Sequence, residues 1–208
     1  MSEKINESLI MKSMEWAYKK SLDGIGLFPS AFDLSNEYLK NNNNDKQAAA
    51  NSMIKWQMTK CATSGFVTGL GGIFILPVAI PANISSVIYI QMRMVAAIAS
   101  IGGYDIKSDR VKSLVYTCIA GSAAVDILKD VGIKLGTKIS EKVLEKISGE
   151  VIKAINKAVG IRLLTKFGQT GVINLGKAIP ILGGIIGGAI DAASTKTIAN
   201  ISKKTFLA

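Results

Sequence analysis

From Cys61 to Met92 the chain runs for 32 residues without one charged side chain, CATSGFVTGLGGIFILPVAIPANISSVIYIQM. A stretch so long and apolar has to be hidden from water, either by other helices or by lipid. A bilayer span needs about 20 apolar residues, but Pro77, Pro81 and Asn83 interrupt this run near its middle. The spacing therefore predicts two apolar segments meeting at a proline-rich corner. The second is expected to be a helix from about Asn83 to Ile101, closed by Gly102-Gly103 through the left-handed backbone that glycine tolerates.

Glycine threads the same segments. Gly65 and Gly69 are four residues apart, as are Gly183 and Gly187, and Gly184 and Gly188. Residues at this spacing share a helix face, and without side chains they let a second backbone approach closely. Each costs a helix up to about 1 kcal/mol, so close packing must offset them. That packing can be made in a membrane or in a soluble core.

The remaining chain also reads as helix. Leu9, Ile10, Met14, Ala17 and Tyr18 recur at helical spacing over Asn6–Leu22, and Asp23-Gly24 ends the run. Pro29 is expected in the first turn of a short helix through Leu39. The tract Asn41–Asn44 marks an exposed boundary, and Asp45 caps a helix through Cys61. Ser108 caps a helix through Leu128. Over Thr137–Val159, Ile139, Val143, Ile147, Val151, Ala154 and Ala158 predict one amphipathic helix. Gly168–Gly171 is expected to turn, and Pro180 to open a last apolar helix to about Ile201. No period-two alternation bounded by hairpin turns suggests a strand.

No histidine occurs in the 208 residues. The commonest general base and metal ligand is therefore missing, and with it every Ser-His-Asp or Cys-His arrangement. Two isolated cysteines, Cys61 and Cys118, cannot build a structural zinc site, and no glycine-rich phosphate loop follows a strand. Neither a catalytic centre nor a cofactor is expected. The two cysteines lie in apolar helical contexts and Met1–Leu9 is polar, so a reduced, cytoplasmic setting without a signal peptide is the expectation.

The formal charge is +10, from 25 Lys+Arg against 15 Asp+Glu. Such an excess favours anionic surfaces. Nucleic acid is disfavoured, because only Arg93, Arg110 and Arg162 are arginines and no nucleic-acid-binding motif is present. Lys138, Lys142, Lys146, Lys153 and Lys157 border the apolar seam of the amphipathic segment. They suit interfacial membrane contact with their stems along lipid, or an ordinary solvated helix face. Arg93, Asp126 and Asp191 sit inside apolar segments. An unpaired buried charge is expensive, so Arg93 is expected to pair with Asp126, Asp191 or both, unless each reaches solvent at a helix edge.

Taken together, these residues resemble a known family. GFVTGLGGIFILPVAIPANISSVIYIQMRMVAAIASIGGYD is similar to the core of the EcsC family of bacterial proteins. The resemblance rests on the helix around Trp16, the GFxTGLGG segment, the Pro-x-x-x-Pro corner, Gln91 and Arg93, and the turn Gly103–Asp105. The later segment PILGGIIGGAIDAAS resembles that family's second glycine-rich helix. The likeness extends from about Trp16 to about Lys204, with Asn83 standing where many members carry an acid. It implies an ABC transporter context and supplies no catalytic residues.

The expectation is an all-α, compact helical bundle with two central glycine-rich apolar segments, residues 64–101 and 178–201. An N-terminal helical arm, residues 1–40, would precede a body of residues 45–208. The leading functional expectation is a non-enzymatic protein, peripheral to or reversibly inserted in the cytoplasmic membrane face. Its partners would be anionic lipid, a membrane protein such as a transporter, or both. Oligomeric state is left open. The alternatives are a soluble helical adaptor and an enzyme with a buried Arg/Asp site.

Overall fold

Asn6 starts the first helix by accepting the Leu9 backbone N–H on its side-chain oxygen at 2.9 Å, which satisfies one of the donors a helix start leaves unpaired. The computed structural model describes residues 6–26, 28–62, 82–134, 138–174 and 180–207, with side chains except at 60–62, 82–86, 167–174 and 180–192. In chain order the helices are α1 (Glu7–Asp23), α2 (Ala31–Asn41), α3 (Lys46–Ala62), α4 (Ala82–Gly102), α5 (Asp109–Ile119), α6 (Ala124–Asp130), α7 (Glu141–Glu145), α8 (Gly149–Asn174) and α9 (Pro180–Phe206). The protein is an all-α bundle. The one β-type contact among the described residues is an isolated bridge, in which Ile25 and Phe28 exchange backbone hydrogen bonds of 3.0 and 2.8 Å.

The bundle is organised around α4. Every residue from Ile88 to Ala99 is buried, as a helix apolar on all sides requires. It is covered by α1, α2, α3, α5 and α9. Ile10, Met14 and Ala17 of α1 and Leu34 of α2 join the same core as Ile98 of α4 and Ile198 of α9. The N-terminal helices expected as an arm are thus part of the one core, because their apolar stripes face α4. Burying each such Ile, Leu or Met side chain contributes about 1.5–3 kcal/mol.

Several helix ends follow the expected chemistry. Asp45 Oδ1 accepts the Gln47 and Ala48 N–H groups at 2.8 and 3.0 Å. Asn43 and Asn44 take left-handed φ angles of 52° and 62°, which asparagine tolerates better than most residues. Gly103, at φ +91°, ends α4. Its N–H reaches Ser100 O at 2.9 Å, and the Tyr104 N–H reaches Ala99 O at 3.1 Å.

Other boundaries differ. Pro29 lies ahead of α2, because Ser30 accepts the Asp33 N–H at 3.0 Å and is the cap. The helix expected from Ser108 to Leu128 breaks at Gly121, whose φ of +64° is incompatible with continued helix. The Thr137–Val159 helix is two. Ser148, which accepts the Val151 N–H at 3.3 Å, restarts the chain as α8. After this restart the buried apolar side chains among the described residues are Ile155, Val159 and Leu163, while Ala154 is exposed. The Gly168–Gly171 turn is absent, and α8 runs through it.

Candidate functional site

Arg93 is the largest of the fully buried side chains, 2% exposed in the middle of α4. Its Nη1 donates to the Pro29 carbonyl at 3.2 Å, and its guanidinium lies 5.2 Å from the centroid of Phe28 and 6.0 Å from that of Tyr89. Both rings are within cation–π range. Burial pushes the guanidinium down from its ordinary value, and Tyr89 and Tyr38 oppose that shift. Its Nε has no hydrogen-bond partner among the described residues.

The expected Arg93–Asp126 pair does not form. Asp126 is exposed on α6, and the ion pairs among the described residues all involve Lys112, with Glu15 at 3.4 Å and Asp109 at 3.0 Å. Asp126 has the alternative outcome of reaching water. The side chain of Asp191 lies outside the described residues. Arg93 ties the α1–α2 connection to α4 through the Pro29 backbone carbonyl and the ring of Phe28.

The lysines expected on one helix face are all exposed, but they do not form one row. Lys142 is in α7, Lys146 ends it, Lys153 and Lys157 are in α8, and Lys138 precedes all of them. Lys138 has an internal use. Its Nζ donates to Gly102 O at 3.2 Å, and Lys46 Nζ reaches the same oxygen at 3.4 Å. Two ammonium groups thus meet the negative end of the α4 dipole. Gly65 and Gly69 lie outside the described residues. Gly183, Gly184, Gly187 and Gly188 are in the backbone of α9.

An accessible polar feature lies elsewhere, in an open groove of about 430 Å³ between α3 and α9. From α3 come Asn51, Lys55 and Thr59, one helical face at i, i+4 and i+8, above Ile54 and Met58. From α9 come Lys196, Asn200 and Lys203, at i, i+4 and i+7. Lys203 Nζ donates to Asn51 Oδ1 at 2.7 Å across the groove. Beside it on α3, Trp56 is 50% exposed. Sequence reasoning does not single out this groove, although a signal for it is present. No acid occurs from Lys46 to Ala62, and none occurs after Asp191.

In the interior, between α4 and α9, Gln91 Nε2 of α4 donates to Thr195 Oγ1 of α9 at 3.0 Å. This buried bond fixes the register of α9 and therefore the position of its lysines.

The family model described as the EcsC protein family matches residues 42–207. The match begins in the asparagine tract and takes in α3 through α9, including both walls of the groove. The helix around Trp16 lies outside it. No curated protein and no solved structure matches the chain.

Proposed function

The chain belongs to the EcsC protein family, and from that premise we propose that it is a non-enzymatic protein that associates with the anionic cytoplasmic face of a membrane through α3 and α9. One observation carries the reading. Helix α3 has lysines, a half-exposed Trp56 and no acid, and its sequence leads straight into the charge-free run that begins at Cys61. Lysine near an anionic leaflet contributes roughly 1 kcal/mol per residue, and tryptophan favours the boundary between headgroup and hydrocarbon. Among the described residues no helix is long and apolar enough to cross a membrane, and the proposal asks only for contact with the bilayer surface. A membrane transporter is the protein partner that the family resemblance implies.

Flotation tests the reading. The protein should rise with vesicles of phosphatidylcholine and phosphatidylserine, stay behind with phosphatidylcholine alone, and be released at ~0.5 M salt as screening shortens the reach of the lysines. Trp56→Ala should weaken binding. A protein that ignores every vesicle sinks the proposal. In that case the second reading, a helical adaptor, gains from the exposure of Phe32 at 57% and Trp56 at 50%, both large apolar side chains at the surface.

A further inference from the structure

We propose that the groove between α3 and α9 is a phosphoanion site that takes the phosphomonoester head of an acidic amphiphile, an inference that rests on the membrane-facing reading of this surface. Three ammonium groups, Lys55, Lys196 and Lys203, line the groove with no carboxylate among the lining residues. None of the three forms an ion pair among the described residues, since the pairs there all use Lys112. Their positive charges are offset by no carboxylate in the lining, and a dianion seated in the groove is attracted by all three.

The neutral residues fit the same guest. Phosphate oxygens only accept hydrogen bonds. Asn51 gives its carbonyl oxygen to Lys203 at 2.7 Å, so its NH2 is directed to the other side, and Asn200 adds a further donor. Ile54 and Met58 give the groove an apolar part. The volume of about 430 Å³ far exceeds the ~30 Å³ share of one water, leaving space for carbon beyond the phosphate. A phosphomonoester also offers three oxygens and close to two charges at neutral pH. A phosphodiester or carboxylate offers fewer.

The experiment uses the full chain and vesicles of phosphatidylcholine with phosphatidic acid or phosphatidylserine, adjusted to equal surface potential. Short-chain phosphatidic acid and inorganic phosphate are titrated separately in solution. The proposal expects stronger flotation with phosphatidic acid. Lys196→Gln with Lys203→Gln should weaken flotation on both lipids, by about thirtyfold for two lysines near an anionic headgroup, and abolish the preference for phosphatidic acid. Lys55→Gln, on an exposed side chain, gives a smaller loss in the same direction and keeps the test decisive should the double variant fold poorly. Equal flotation with both lipids, in the native chain and in the variants alike, overturns the groove and leaves the membrane reading standing. Saturable binding of short-chain phosphatidic acid, lost in the variants, without flotation on any vesicle upholds the site and removes the membrane reading. Inorganic phosphate binding as tightly as short-chain phosphatidic acid overturns the amphiphile and makes free phosphate the guest. No binding in any arm overturns both.

Discussion

The guanidinium of Arg93 donates to the Pro29 carbonyl at 3.2 Å while lying over the ring of Phe28, so a buried cation is held without a carboxylate bound to it among the described residues. Its contribution is then largely one of packing and backbone tethering. Arg93→Ala, which leaves a cavity and an unpaired carbonyl, should cost about 3 kcal/mol. Arg93→Met, which refills most of the volume and removes a desolvated charge, should cost less. Urea unfolding of both variants checks the order. An alanine variant as stable as the native chain would show that the tether is idle.

Gly102 is a tight backbone approach. A Cβ there would come within 2.5 Å of Phe206 O and 2.9 Å of the Tyr104 ring, so Gly102→Ala must displace the end of α9 and the ring. It should destabilise by roughly 2 kcal/mol or more. Gly149, with nothing within 4 Å of its would-be Cβ and no positive φ, is the control. Gly149→Ala should be neutral or stabilise by up to about 1 kcal/mol. Thermal unfolding of the two variants should therefore move in different directions.

Burial raises the Cys118 thiol from its ordinary value of 9.0 to about 11, against the opposing influence of hydrogen bonding with Thr205 and Ser202. Between those values the folded chain keeps a proton that the unfolded chain has released. Stability is thus fully present below pH 9 and falls as pH rises towards 11. Cys118→Ala should flatten that alkaline decline. In a Cys61→Ala background the native protein should also resist thiol reagents at pH ~8 and react once unfolded, which is measured directly by labelling rate.

Asp45 and Ser108 both precede helices, yet they are not equivalent. Asp45 accepts two backbone N–H groups at 2.8 and 3.0 Å, whereas Ser108 makes no side-chain capping bond. Asp45→Ala should cost about 1 kcal/mol, and Ser108→Ala should stay within roughly 0.5 kcal/mol. Comparable losses at the two sites would contradict the geometry.

The same contrast separates what is legible in the sequence from what is not. Helix class, the α4 core and the Asp45 and Gly103 ends are legible because periodicity, caps and glycine act locally. The Ser148 restart is not, since a serine within an amphipathic pattern caps or continues a helix according to tertiary packing. The contacts of Arg93 with Pro29, Phe28 and Tyr89 are hidden for a related reason. A backbone carbonyl and aromatic rings can also satisfy a guanidinium, and neither leaves a charged residue to find in the sequence. The groove needs two helices from opposite ends of the family-matched region to be brought face to face, although the missing acids in each wall are plain in the sequence.

Phe206 is fully buried and packs edge-on against Tyr104 at 5.2 Å, while Thr205 O accepts the Ile139 N–H at 3.1 Å. A nascent chain therefore cannot seal its interior until residue 206 has left the ribosomal exit tunnel. Until then the side of α4 reserved for α9 remains uncovered, and at ~5–20 residues per second synthesis gives a chaperone or a nearby bilayer several seconds of access to it.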